Sequence, residues 1–199
     1  RALLSTERKI ANRARIGLAL IDVLRDKRDK NALRKLGQLR DGVGNAWDRE
    51  ARAFVLLAYG EGLLTHGLYE RAQAQIQSAQ QLIPDRYEAH WSLCRLYDYM
   101  LRSQDAISQC RAALVNPHFE PARIKMADIA MTYGAHGDVI DALMPLANNR
   151  RATDASIRRL AASLIAGGRM ADLERLKRDV SESWSGRDHA FVDGLIASE

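Results

Sequence analysis

The sequence predicts an all-α chain built from stacked helix-turn-helix units, and three observations carry that prediction. The composition favours helix: 47% of the 199 residues are hydrophobic, yet there are only three Phe, three Trp, six Tyr and four Pro. Apolar residues recur at helical spacing in paired stretches separated by short turn signals. The second-helix markers return at a nearly fixed interval: Ala72, Ala106, Ala142 and Leu173 are 34, 36 and 31 residues apart, although Leu173 is not the small residue the other copies have there. Two helices cannot hide such faces between themselves, so units of this kind must stack on neighbours.

The clearest unit is Ala53 to Arg86. Leu56, Tyr59, Gly60 and Leu63 share one helical face, Thr65-His66-Gly67 makes a turn, and Tyr69, Ala72, Ile76 and Ala79 form a second face that stops at Pro84. Gly60, Ala72 and Ala79 are small enough for two antiparallel helices to approach closely. This unit resembles the tetratricopeptide repeat, with its W-x2-L-G-x2-Y, A-x3-F and P pattern over about 34 residues. Leu56 stands at the Trp, Tyr59-Gly60 at the Leu-Gly pair and Leu63 at the Tyr. Ala72, Ile76, Ala79 and Pro84 match the second helix and its stop. The resemblance implies a right-handed superhelical solenoid of antiparallel helix pairs that acts as a protein-binding scaffold.

Taken in order, the chain begins with a helix that Ser5 or Thr6 can cap, its apolar residues Ile10, Ala14, Ile16, Leu18, Leu20, Ile21 and Leu24 holding helical spacing to about Arg25. A shorter helix starts at Asp29 or Asn31 and ends at Gly42-Val43-Gly44, with Ala32 placed like Ala72. These first 45 residues read as a basic helical pair, a degenerate repeat, and residues 46–199 as about four repeats with a C-terminal cap. The second copy begins near Tyr87: Leu93, Cys94 and Tyr97, then Ala106, Cys110 and Ala113, ended by Pro117. The third runs from Arg123 through Met126, Ile129, Ala130 and Tyr133, with a turn at Gly137-Asp138, and Pro145 is expected to kink or shorten its second helix. The fourth starts with Asp154 as its cap and passes Ile157, Leu160, Ala161 and Leu164, the Gly167-Gly168 turn, Leu173, Leu176 and Val180. A last short helix, His189 to Ala197, would cap the core.

Charge is unevenly distributed. Residues 1–40 hold twelve Lys and Arg against four Asp and Glu, or +8, whereas the remaining residues hold eighteen against twenty-one, or −3. Such a basic start suits an anionic membrane surface, an acidic partner or phosphate, and equally a solvated helix face. No apolar run approaches the roughly 20 residues that span a bilayer. The chain opens on Arg1 instead of Met, as a piece of a longer protein would, and the expectation is a cytoplasmic domain held at the inner membrane by a segment preceding Arg1.

Nothing in the residue pattern suggests catalysis, a cofactor or a metal. The five histidines, at 66, 90, 118, 136 and 189, have neither metal-ligand spacing nor an identifiable carboxylate set, and no phosphate-binding Gly loop or nucleophile elbow occurs. Cys94 and Cys110 fall on core-facing positions of one helix pair, which fits both packed thiols and a disulfide.

What the resemblance implies about function centres on the concave face, which in tetratricopeptide arrays is lined by first helices. Trp91, Arg95 and Tyr99 repeat every four residues there; Phe54, Leu57, Glu61 and Leu64 extend the stripe on one side, and Ile124, Met131, Ala162, Ile165 and Arg158 on the other. Aromatic and Arg-rich surface suits protein contact, although some of these residues can equally pack between repeats. The Lys, Arg and Asn set with which some members grip a terminal carboxylate is missing, because Glu61, Arg95 and Met131 occupy its places. An extended or helical partner segment is therefore expected, in an assembly such as a bacterial envelope or exopolysaccharide-secretion complex, with self-association as a further property. The competing readings are a helical-repeat nucleic-acid binder using the basic start, disfavoured by the acidic later repeats, and the regulatory arm of a larger enzyme.

Overall fold

The computed structural model of the chain describes residues 2–26, 29–42, 47–180 and 194. Among them the regular structure is helical without strands: α1 (Ala2–Arg25), α2 (Lys30–Asp41), α3 (Arg49–Thr65), α4 (Tyr69–Leu82), α5 (Tyr87–Tyr99), α6 (Ser103–Ala112) continued by a 3-10 turn (Ala113–Val115), α7 (Glu120–Thr132), α8 (His136–Asn148), α9 (Asp154–Ala166) and α10 (Met170–Val180). The chain divides into two compact units, Arg1–Val115 and Asn116–Glu199.

In the first unit α3 is the central element: α1 and α2 pack on it from one side and α4 pairs with it, after which α5 packs on α4 and pairs with α6. Gly62 marks the point where three helices converge, since a Cβ there would lie 3.0 Å from Leu33, 3.3 Å from Leu36 and 3.4 Å from Val23. The α3–α4 crossing is tighter still. A Cβ on Gly60 would sit 2.5 Å from Cγ1 of the buried Ile76, so the small residue read from the sequence is required by this approach. In the next pair the same register positions hold Cys94 and Cys110, which are joined as a disulfide with their Cα atoms 5.0 Å apart. The structure thus resolves the alternative that the sequence left open. The second unit stacks α7 on α8, α8 on α9 and α9 on α10.

The turns follow one rule. Gly67, Leu101, Gly134 and Gly168 each adopt positive φ just past a first helix, and the following residue's N–H returns to a carbonyl five residues back: Leu68 to Leu63, Arg102 to Tyr97, Ala135 to Ala130 and Arg169 to Leu164. Leu101, at φ 58°, does without glycine what the other three do with it.

Several sequence expectations are corrected. α1 already starts at Ala2, ahead of Ser5 and Thr6. Asp29, not Asn31, is the N-cap of α2, its carboxylate accepting from the Asn31 N–H at 2.8 Å. The third turn is Tyr133-Gly134-Ala135, and Gly137-Asp138 belong to the first turn of α8, because the left-handed residue sits at Gly134. Thr153, with its hydroxyl 3.3 Å from the Ser156 N–H, caps α9 in place of Asp154. Pro145 lies in the last turn of α8, which stops at Asn148, so its missing N–H costs one helical bond near an end that closes anyway. Within the first unit α1 and α2 both pack on α3. The short helix expected from His189 to Ala197 lies outside the described residues apart from Gly194.

Candidate protein-docking faces

In the first unit α1, α3 and α5 adjoin as successive first helices, and the sequence-predicted residues on them divide into three groups. Leu57 and Leu64 are buried and fill the packing between helices. Phe54, Glu61, Trp91 and Arg95 are half-buried; Glu61, Arg95 and Trp91 are joined by polar and cation-π contacts, and Phe54 meets Arg13 of α1. Tyr99 is exposed at the end of α5, where its ring stacks on Tyr69 of α4 with centroids 6.1 Å apart.

The second group has a definite electrostatic order. The Glu61 carboxylate on α3 accepts from Ser92 Oγ at 2.6 Å and from the Arg95 guanidinium at 2.8 Å, both on α5. Arg95 in turn lies 5.9 Å from the centre of the Trp91 ring. At the other edge of α3, Arg13 of α1 pairs with Glu50 at 2.6 Å and lies 5.5 Å from the centre of the Phe54 ring. Each aromatic ring therefore carries a guanidinium whose charge is balanced by a carboxylate on α3. Flexible side chains are held in place before any partner arrives, which lowers the entropy cost of binding.

In the second unit Ile124 and Met131 of α7 and Arg158 and Ala162 of α9 are half-buried, while Ile165 is buried. Ser163 Oγ lies 3.4 Å from Met131 Sδ and 3.4 Å from His136 Nδ1, and Arg159 of α9 pairs with Asp128 of α7 at 2.8 Å. This face carries the apolar side chains of Ile124, Met131 and Ala162 beside Arg158.

Sequence reasoning missed Arg13, Ser92, Asp128 and Arg159. Glu61 and Arg95 stand 34 residues apart, one repeat, so an acid and a base at the same register position of adjacent first helices were a readable sign of the pair. Arg13 belongs to no matched repeat and gave no such sign.

His66 and His90 are engaged structurally. His66 Nδ1 lies 2.9 Å from the Gly62 carbonyl, and His90 meets Gln80, Gln109 and the Pro84 carbonyl at 3.1, 2.9 and 3.1 Å. Burial raises the Glu88 carboxyl, but hydrogen bonds from Arg86 and from its own backbone N–H, with the nearby positive charge, outweigh it and hold the group below the usual range. Among the described residues, no three His, Cys, Asp or Glu gather as metal ligands, and no helix is long and apolar enough to cross a membrane.

No protein-family model and no curated protein matches this chain. Solved structures do. One of MamA, a tetratricopeptide-like protein, is similar over 92% of this chain and 96% of its own, with 18% identity and a TM-score of 0.63. Another MamA structure covers 84% of this chain and 90% of its own at 16% identity and a TM-score of 0.60. The complex of Naa15 and Naa10 bound to HypK-THB gives a TM-score of 0.68 at 16% identity, over 92% of this chain but 29% of the matched one. These likenesses establish architecture: the chain has a tetratricopeptide-like helical-repeat fold, a solenoid of paired helices.

Proposed function

We propose that the chain is a non-enzymatic scaffold that binds an extended or helical segment of another protein on its first-helix faces. The observation that carries this reading is the ordered set on α3 and α5, where half-buried Trp91, Arg95, Glu61 and Phe54 combine aromatic area with prearranged charge. Such residues form the energetic centres of protein interfaces. Naa15, seen in a complex bound to HypK-THB, supports the reading by example of a similar fold holding other chains. The setting we favour is assembly of a bacterial, membrane-associated complex of the envelope or exopolysaccharide-secretion kind, on the inner face of the inner membrane. Nucleic acid is disfavoured because part of the basic start is internally engaged: Arg13 with Glu50, and Arg40 with Asp41.

The experiment is site-specific photo-crosslinking in the native cell, with the reactive amino acid at Trp91 or Phe54 and, as control, at the exposed Arg175 of α10. The expected result is a discrete crosslinked protein from the first two positions only. Equal labelling from Arg175, or none from Trp91, would overturn the docking face.

A further inference from the structure

The end helix of the first unit has two apolar faces, and only one is covered. Ile16 and Val23 of α1 are buried towards the stack, whereas Ile10, Leu18, Ile21 and Leu24 are 64, 64, 55 and 48% exposed. Terminal helices of repeat stacks ordinarily turn a polar face outward. Here the outward face runs Ile10, Ala14, Gly17, Ile21, Leu24, alternating steps of four and three, which is the seam of a two-stranded coiled coil. A Cβ on Gly17 would meet nothing within 4 Å, so the middle of the seam is open as well as small.

We propose that this face is where two copies of the chain meet, the two α1 helices lying antiparallel with Ala14 of each against Gly17 of the other. Register and charge select that arrangement. Antiparallel pairing about Ala14 and Gly17 sets Ile10 against Ile21 of the second copy and brings Glu7 beside Arg25 at both ends of the seam. Parallel pairing would set Gly17 on Gly17, leaving a gap, and Arg25 on Arg25, opposing like charges. A lipid surface is the poorer occupant: the flanks of the stripe carry Glu7 and Asp22 as well as Arg13, Arg15 and Arg25, whereas helices that lie on anionic bilayers keep Lys and Arg there. This inference is independent of the docking faces on α3 and α5.

Sedimentation velocity of the 199-residue chain over a wide concentration range tests it, and the expected result is a reversible monomer–dimer equilibrium. Gly17→Glu leaves the fold intact, because its Cβ points into open space and glutamate is the better helix former, yet it raises the dimer dissociation constant about tenfold or more. Glu7→Arg and Arg25→Glu each weaken the dimer, and the double variant restores it. Mixed Ile10→Cys and Ile21→Cys chains crosslink more readily than either alone. A chain that stays monomeric, a dimer indifferent to Gly17→Glu, preferential same-site crosslinking, or a monomer that binds phosphatidylglycerol vesicles through this face would each overturn the proposal.

Discussion

Cys94 and Cys110 occupy in α5–α6 the register positions that Gly60 and Ile76 occupy in α3–α4, each residue 34 positions from its equivalent. One crossing is closed by shape and the other by a covalent bond. The bond ties residues 16 apart, so chain-entropy reasoning assigns it about 3 kcal/mol, drawn from the unfolded state. Reduction with a phosphine should therefore lower the unfolding free energy by about 2–4 kcal/mol, measured by urea titration with and without reductant. Alkylation of both thiols in the unreduced folded protein would contradict the bond. Glu88 provides a second test at this scale. Its folded pKa is depressed, so its contribution is full above the unfolded carboxylate range and disappears as pH falls through the folded value. Glu88→Gln should flatten the acid limb of the thermal midpoint profile below about pH 4.5 while leaving the fold unchanged at neutral pH.

At the level of the helix pair, Gly60 and Leu101 make opposite predictions. Gly60→Ala gains helix propensity but forces a methyl to within 2.5 Å of a buried isoleucine carbon. Overpacking costs about 1–3 kcal/mol against a propensity gain near 1, so a net loss in the urea midpoint is expected. Leu101 is 81% exposed and holds a left-handed backbone, so Leu101→Gly removes strain and loses little packing. A gain of about 1 kcal/mol is expected from the same titration, tempered by glycine's greater freedom in the unfolded chain. These two residues also mark what could be read in advance. The Gly60 crossing was legible because glycine weakens a helix, so its place inside an apolar period points to a second helix pressed against that spot. The turn at Leu101 was not, since its sequence carries no turn former and the geometry is imposed by the helices on either side. The same limit applies to the displaced turn in the third copy, which the sequence placed at Gly137-Asp138 and the backbone places at Gly134.

For the whole molecule, coupling should be short-ranged. Stacked repeats touch only their neighbours, so a lesion in one pair weakens the adjoining helices and fades beyond them. In Gly60→Ala, amide exchange should quicken across α3, α4 and α5 and stay unchanged in α9; equal acceleration throughout would reveal one global opening. The repeat period and the all-helical class were readable at this scale because they average over many residues. The candidate docking set was only partly so: helical spacing placed Trp91, Arg95 and Phe54 on first helices, but it could not separate Leu57, Leu64 and Ile165, which are closed to solvent, from their accessible neighbours. Burial there depends on how adjacent helices approach, information that no single helical period contains.

The left-handed tips at residues 67, 101, 134 and 168 stand clear of every core, since an added Cβ at the three glycines would meet nothing and the fourth side chain projects into water. Each hairpin can accordingly be lengthened at its tip without disturbing the joint between its helices. Foreign peptides grafted at these points would be carried as passengers, and new recognition loops could be added one hairpin at a time.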